Sequence, residues 1–401
     1  MQAIEIKKNI FYVGAIDWDR RLFDELIPLP QGTSYNAYLV KGSQKIALID
    51  TVDFHKLDEL LLQLKSLNIS TIDYVVINHT EQDHSGNLPQ ILAKYPMARV
   101  LTNEKAKDLL IRLLHVPAEK IEVVADGAEI SLGDKTLKFI LTPWVHWPDT
   151  MCTFIPEDKI LFSMDFFGAH LAASDLWAQN DEALYEGAKR YYAEIMMPFR
   201  PQVQANIKKV EALGFQILCP SHGPIYAKPE FIINAYKDWA SDKVKPEVVI
   251  PWVSMHGSTK AMVDYLVQAL IQKGVKVKPY NITQTDIGDL AMELVDASTI
   301  VLAGGQTLAG AHPKLAYIAF LANVLRPKTK FVSIIGSWGW GGKMLEQLTG
   351  LIPNLKVEII EPVMVKGYPK KEDYARLDKL AGEIAQKQLT INNDQINNKV
   401  F

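Results

Sequence analysis

Four groups able to ligate a metal, His79, Glu81, Asp83 and His84, fall within six consecutive positions of the run Asn78-His79-Thr80-Glu81-Gln82-Asp83-His84-Ser85-Gly86. The apolar run Tyr74-Val75-Val76-Ile77 directly before them reads as a strand, so the cluster lies where a strand ends and the chain turns towards a helix. Side chains at such a point converge on the carboxyl edge of a sheet without competing for ladder hydrogen bonds. Two imidazoles and two carboxylates make a mixed nitrogen and oxygen donor set, too hard for a thiolate-type zinc site and rich enough to serve two ions. A binuclear metal centre is the expectation. The competing reading is a polar surface turn whose histidines only cap a helix.

Three residues further along decide between them. His146 follows Trp144, Asp165 follows the β-like run Ile160–Ser163 and Met164, and His222 sits in Cys219-Pro220-Ser221-His222-Gly223 after Ile217-Leu218. The candidate set is therefore His79, Glu81, Asp83, His84, His146, Asp165 and His222, contributed by the ends of four separate strands. With only Cys152 and Cys219 in the chain, there is no disulfide framework, cysteine knuckle or cysteine-ligated cluster. Any metal rests on His, Asp and Glu.

A chain of 401 residues exceeds one compact core and suits two domains. A formal net charge of -3 leaves no basic footprint for nucleic acid or an anionic membrane. No apolar run approaches the roughly 18 residues of a membrane helix, and Met1 to Lys8 lacks the apolar stretch of a signal peptide. The expected location is the cytoplasm.

In chain order, Ile10–Val13, Tyr35–Val40 and Ile46–Asp50 read as a β-meander, followed by a helix with Leu57, Leu60, Leu61, Leu64 and Leu67 on one face. After the ligand run come a helix near Leu88–Tyr95, a strand at Arg99–Thr102, a helix at Lys105–Leu114, strands around Lys138–Leu141 and Met151–Ile155, and helices at Asp181–Met197 and Gln202–Leu213. This alternation predicts a layered α/β sandwich. The polar stretch Ser241 to Pro246 reads as a linker, dividing the chain into domains 1–246 and 247–401. Beyond it, strand runs at Val248–Val253, Val275–Pro279, Ile300–Ala303, Phe331–Ile335 and Val357–Ile360 alternate with helical patterns, the first at Thr259–Lys273 and closed by Gly274. Five strands and five helices suit a flavodoxin-like doubly wound parallel sheet. The Asn-rich tail Gln388 to Phe401 is expected to be loosely held.

The ligand run resembles the metallo-β-lactamase signature His-x-His-x-Asp-His with Glu81 in place of its second histidine. That exchange, with His146-Trp147-Pro148-Asp149 and Pro220-Ser221-His222-Gly223, resembles the flavodiiron proteins over essentially the whole chain. The implied fold is an αββα metallo-β-lactamase-like sandwich followed by the five-stranded flavodoxin-like sheet. The resemblance assigns one iron to His79, Glu81 and His146, the other to Asp83, His84 and His222, and makes Asp165 the bridge. Replacing an imidazole by a carboxylate hardens the pocket and favours iron over zinc. His170, five residues past Asp165, is a candidate for a supporting contact, whereas His55, His115 and His312 read as surface or capping residues. Tyr191 and Tyr192 match paired tyrosines of the family, one of them a candidate proton source. Phe23-Asp24-Glu25 departs from the family's aromatic-His-Gly.

The same resemblance places an FMN phosphate on Ser254, Met255, His256, Gly257, Ser258 and Thr259, where backbone amides and hydroxyls at a helix start suit a dianion. The flavin ring would meet Gln306, Thr307, Leu308, Ala309 and Gly310 after the third strand and Ser337, Trp338, Gly339, Trp340 and Gly341 after the fourth, with Trp338 or Trp340 stacking on it. The first of these loops departs from the family's Ser-Pro-Thr pattern. The activity implied is reduction of dioxygen to water, of nitric oxide to nitrous oxide, or of both. Since the chain carries no rubredoxin-like cysteine set, it requires an external electron donor, a rubredoxin-like protein or reduced F420. A head-to-tail homodimer or a dimer of dimers is the implied assembly. The competing functions are a zinc hydrolase of the metallo-β-lactamase type with a regulatory flavodoxin domain, and a non-catalytic electron carrier.

Overall fold

Leu48, Val75 and Val100 point to one side of their sheet, and Ala47, Ile49, Val76 and Leu101 to the other, yet all are completely buried. A sheet covered on both faces needs such continuous apolar strands rather than alternating ones. The computed structural model describes residues 2–397. The chain divides into two compact units, Met1–Ala240 and Ser241–Phe401.

In the first unit, seven strands run in the order Ile4–Lys7, Ile10–Tyr12, Tyr38–Lys41, Ile46–Ile49, Tyr74–Val76, Arg99–Thr102, Ile121–Val123. The first four pair antiparallel and the remainder parallel. A second sheet of five, Glu129–Ser131, Thr136–Leu141, Met151–Ile155, Ile160–Met164 and Ile217–Pro220, is antiparallel except for its last pair. One core joins the first sheet to the helices Leu57–Ser66, Leu88–Lys94 and Glu104–Leu114, through Leu60, Leu64, Leu88, Ile91 and Leu110. The other lies between the sheets, where Tyr38, Val40 and Ile49 meet Leu137, Phe139 and Phe162. This is the αββα sandwich.

Three elements differ from the sequence reading. Tyr35–Val40 is not one strand: Thr33–Tyr35 pairs with Ala15–Asp17, Tyr38–Lys41 joins the main sheet, and between them Asn36 donates to the carbonyls of Pro220 and Gly223 at 2.8 Å each. The helix predicted over Asp181–Met197 is α-helical only over Glu182–Tyr191, widens to a π-turn at Tyr192–Met196 and tightens at Met197–Phe199. Pro198 has no N–H to continue the ladder. A further helix, Glu230–Ala240, carries Ile232, Ile233, Tyr236 and Trp239 buried along one face, a helical spacing legible in the sequence.

The second unit is a parallel sheet in the order Lys276–Asn281, Lys245–Trp252, Ala297–Thr307, Phe331–Trp338, Glu358–Ile359. Its first strand begins inside the stretch read as a linker. Pro246 is tolerated there because the register slips between Lys245 and Val248, and a bulge needs no donor from proline. The fifth run is broken at Pro362, with Glu358–Ile359 and Val363–Lys366 both pairing with Phe331–Trp338.

The expectation of a loose tail is overturned as far as Asn397. Residues Lys371–Asn397 form one helix, on which buried Gln388 accepts from Ser298 Oγ and donates to Thr299 Oγ1, both at 2.7 Å. The rest of the tail, 398–401, lies outside the described residues. Asparagines and glutamines read as polar filler in sequence, but a buried amide satisfied at both ends anchors a helix. Gln388→Ala leaves two buried hydroxyls on the central strand short of a partner, and a cost of about 1–3 kcal/mol is expected in urea unfolding of the chain.

Candidate functional site

The seven ligand candidates meet in one buried cluster at the carboxyl edge of both sheets. Met151 N donates to Asn78 O across that edge at 2.9 Å. The strand Tyr74–Val76 delivers the ligand run, which enters a single helical turn at Gln82–Ser85, and Ile160–Met164 and Ile217–Pro220 deliver Asp165 and His222. The donor atoms fall into two groups, His79, Glu81, His146 with Asp165, and Asp83, His84 with His222. In the first, Glu81 Oε2 lies 3.3 Å from His79 Nε2 and 3.1 Å from His146 Nε2. Asp165 Oδ2 lies 3.5 and 3.3 Å from the same two nitrogens. In the second, Asp83 Oδ2 lies 3.2 Å from His84 Nε2 and 3.3 Å from His222 Nε2, and Asp165 Oδ1 lies 3.1 and 3.4 Å from them. Asp165 therefore presents one carboxylate oxygen to each group.

Three carboxylates and four imidazoles packed this closely out of water need a cation. Both carboxylate oxygens of Asp83, Oδ2 of Asp165 and both ring nitrogens of His84 are buried without a hydrogen-bond partner among the described residues. Such atoms suit a pair of metal ions. In the protein without metal, protons on His79, His84 and His146 take that place. Burial alone would lower His84 and His146, but for His84 the carboxylates of Asp83 and Asp165, and for His146 those of Asp165 and Glu81, raise them to about 9. Against the cost of burial, the same imidazoles hold Glu81 and Asp165 well below the ordinary carboxylate range.

Several supporting residues went unassigned in the sequence reading. Asp149 Oδ2, in the quoted His-Trp-Pro-Asp motif, lies 3.2 Å from His79 Nδ1 and accepts from Thr80 N and Oγ1 at 2.9 Å. Ser221 Oγ donates to Asp165 Oδ1 at 2.6 Å, and His222 Nδ1 meets the Ser34 carbonyl at 2.7 Å. His170, the predicted supporting residue, shares its Nδ1 with Thr33 Oγ1 at 3.0 Å and packs against the rings of Tyr191 and His222 at 4.8 and 4.9 Å. The paired tyrosines separate. Tyr191 lies 5.8 Å from the His222 ring, whereas Tyr192 packs on Tyr236 and Trp239. Asp24 faces the cluster from a surface turn with φ 51°. Partial burial, then Glu81 and Asp83, raise its carboxyl to about 6. His55 is exposed, His115 ends a helix at φ 54°, and His312 caps the helix Pro313–Leu325.

Asp50 ends the strand Ile46–Ile49 and holds the start of the ligand run, accepting from Asn78 N and Nδ2 at 2.8 and 2.7 Å. Complete burial raises its carboxyl to about 6, against the pull of the Asn78 hydrogen bonds. Because the folded chain keeps this proton to higher pH than the unfolded chain, the contribution to stability is complete below about pH 4 and is lost as pH rises through 6. In the metal-free chain, Asp50→Asn is expected to flatten that part of the profile, changing the variant-minus-parent unfolding free energy by about 2–3 kcal/mol between pH 4 and 6.5. Parallel urea-unfolding profiles would show that Asp50 titrates as in water.

In the second unit, the flavin candidates occupy three neighbouring strand ends. Ser254, Met255, His256 and Gly257 link the strand Lys245–Trp252 to the 15-residue helix Ser258–Gln272, and Ser254 Oγ accepts from Gly257 N at 3.2 Å. Gly257 has φ +87° with open space beside it, so its backbone faces an approaching group without a side chain in the way. Thr259 Oγ1 lies 3.3 Å from Ser337 Oγ, and Gln306 Nε2 donates to Trp340 O at 2.7 Å. The departing segment is not a loop as expected. The strand runs on through Gln306 and Thr307, turns at Leu308 and Ala309 with φ 49° and 63°, and returns through Gly310–Ala311 as a hairpin. Trp338 ends its strand beneath Lys366, whose Nζ stands 5.3 Å from the ring centroid, and Gly339, Trp340 and Gly341 follow, with Trp340 70% exposed. Amides at a helix start, hydroxyls and exposed aromatic surface fit a flavin phosphate and its ring.

Comparison with known proteins agrees with this architecture. The family model described as ODP family beta lactamase matches residues 33–223. A nitric oxide reductase from Moorella thermoacetica is 34% identical over 96% of this chain and 98% of its own. The solved rubredoxin oxygen:oxidoreductase from the anaerobe Desulfovibrio gigas is 32% identical, covers 97% of this chain and 99% of that one, and superposes with a TM-score of 0.91. The flavodiiron protein from Giardia intestinalis, 24% identical, shares the fold over 98% of each chain with a TM-score of 0.89. The fold and the buried ligand cluster define a two-unit oxidoreductase with a metallo-β-lactamase-like half and a flavodoxin-like half. The chain belongs to the flavodiiron protein family.

Proposed function

We propose that this chain reduces dioxygen to water, nitric oxide to nitrous oxide, or both, at two iron ions held by His79, Glu81, Asp83, His84, His146, Asp165 and His222. Electrons come from FMN seated on the Ser254–Thr259, Gln306–Gly310 and Ser337–Gly341 segments, replenished by a rubredoxin-like protein or reduced F420. The observation that carries this reading is the position of Asp165, with one oxygen facing each ligand group. Two ferrous ions and one fully reduced FMN supply four electrons, the number that takes dioxygen to water, and two suffice for a pair of nitric oxides.

The chain's own residues orient and protonate. Glu81 puts a carboxylate where a zinc hydrolase of this fold carries histidine, which favours an ion that changes valence. Burial first, then Asp165, Glu81 and Asp83, hold the Tyr191 hydroxyl well above its ordinary range, so Tyr191, whose ring lies 5.8 Å from that of His222, keeps its proton. No helix among the described residues is long and apolar enough to cross a membrane. A head-to-tail homodimer or dimer of dimers completes the proposal.

The test is anaerobic single turnover of the fully reduced protein against dioxygen and nitric oxide in parallel, after metal and flavin have been quantified. Rapid flavin reoxidation with either gas supports the reading, and nitrous oxide release assigns the second activity. Two zinc ions per chain with no reoxidation by either gas would sink it.

A further inference from the structure

The two ligand groups contain similar donors but are backed differently. Behind His79, Nδ1 faces the carboxylate of Asp149 at 3.2 Å, an anion with no solvent exposure. Behind His222, Nδ1 faces a neutral carbonyl, that of Ser34 at 2.7 Å. Behind His84, the buried Nδ1 has no hydrogen-bond partner among the described residues. The shared carboxylate is skewed in the same sense. Ser221 Oγ donates at 2.6 Å to Asp165 Oδ1, the oxygen facing His84 and His222, whereas Oδ2, facing His79 and His146, accepts no hydrogen bond among the described residues.

Each asymmetry acts on metal affinity through ordinary donor chemistry. A carboxylate behind an imidazole fixes the tautomer with a free Nε2 and raises its basicity. A neutral carbonyl fixes the tautomer with less effect on basicity, and an unpartnered Nδ1 does neither. A hydroxyl donating to a carboxylate oxygen draws charge from the side that would face the ion. All four observations favour the same group.

We propose that the two groups bind metal unequally and in order, His79, Glu81 and His146 with Asp165 Oδ2 taking the first ion and Asp83, His84 and His222 with Asp165 Oδ1 the second. Asp149 is the positioning residue that sets this order. The inference rests on the reading that the cluster holds two ions, and adds which is held tightly and why. At limiting metal the chain carries a single ion beside His79, and under a chelator the ion beside His84 leaves first.

The experiment loads the full chain with cobalt(II), which has a visible spectrum in these ligand fields and stays divalent, and titrates it with a competing chelator. The expected result is two release steps separated by at least about tenfold, in the range that a supporting contact to a ligand changes affinity. His222→Ala is expected to abolish the weaker step and keep the tighter one, and His146→Ala to weaken the tighter one. Asp149→Asn, with its fold checked by circular dichroism, is expected to lower the tighter affinity by about 10–100-fold while the weaker step stays within about threefold. Ser221→Ala tests the other side independently, and is expected to strengthen the weaker step. Two coincident steps in the parent chain, or loss of the tighter step in His222→Ala, would overturn the order. An unchanged tighter step in folded Asp149→Asn would remove the role of Asp149. A chain that binds no cobalt would instead overturn the two-ion reading itself.

Discussion

Asp165→Asn is expected to leave a folded, flavin-binding protein with at most one metal ion per chain and a reoxidation rate lowered by about 10³-fold or more, since a metal ion supplies several kcal/mol of barrier lowering at such a site. Asp165 is 1% exposed, and its two oxygens lie 3.1–3.5 Å from the Nε2 atoms of all four candidate ligand histidines. Asparagine preserves its volume, so the packing of the strand Ile160–Met164 survives. The amide, however, brings one N–H into a site that requires lone pairs on both sides, and removes the negative charge both groups share. One group keeps an oxygen and the other is confronted by a donor. Metal analysis and stopped-flow reoxidation with dioxygen and nitric oxide check the result. Two retained irons with the parent rate would show that Asp165 is not shared.

Glu81→His restores the three-histidine pattern of hydrolytic relatives of this fold, and is expected to shift the metal recovered from iron towards zinc and to lower reoxidation by at least about 10²-fold. Glu81 Oε2 lies within 3.3 Å of both His79 Nε2 and His146 Nε2 in a pocket where the residue is only 7% exposed. Its charge is compensated by those histidines and by whatever ion they hold. Exchanging the carboxylate for an imidazole removes the anion that stabilises the higher valence, while the geometry remains suited to a tetrahedral divalent ion. Metal content after expression in medium containing both metals, followed by single-turnover rates, separates this from simple loss of binding. A variant that still takes up iron and turns over at the parent rate would show that Glu81 does not set the metal.

Much of the architecture was legible because strand ends announce themselves. Tyr74–Ile77 and Ile217–Leu218 are apolar runs that stop at polar, ligand-bearing turns, and both end where the strands end in the fold, to within two residues. That the second unit's sheet is parallel follows from alternation, since parallel strands require crossover helices. What escaped notice had a local explanation. Pro246 closes the stretch read as a linker, yet a register slip absorbs it, and beyond the fifth run, past Pro362, a second short strand pairs with the same neighbour. Gln388 read as part of a loose tail because the hydroxyls that hold it, on Ser298 and Thr299, are about 90 residues away in the chain.

The sequence by itself determined which residue types gather at the sheet edge, since ligand identity and strand-end position are local properties written in consecutive residues. Glu81 among them is the residue on which the expected preference for iron rests. The division into two groups with Asp165 between them was implied by the family resemblance, but only the tertiary structure decided that Asp165 turns one oxygen to each and that Asp149, Ser34 and Ser221 stand behind them unequally. Those relations join residues as far apart as His79 and Asp149, or Ser34 and His222. Their physical reason is that hydrogen-bond geometry within a few ångströms is set by how two sheets pack, which no local run of the chain contains.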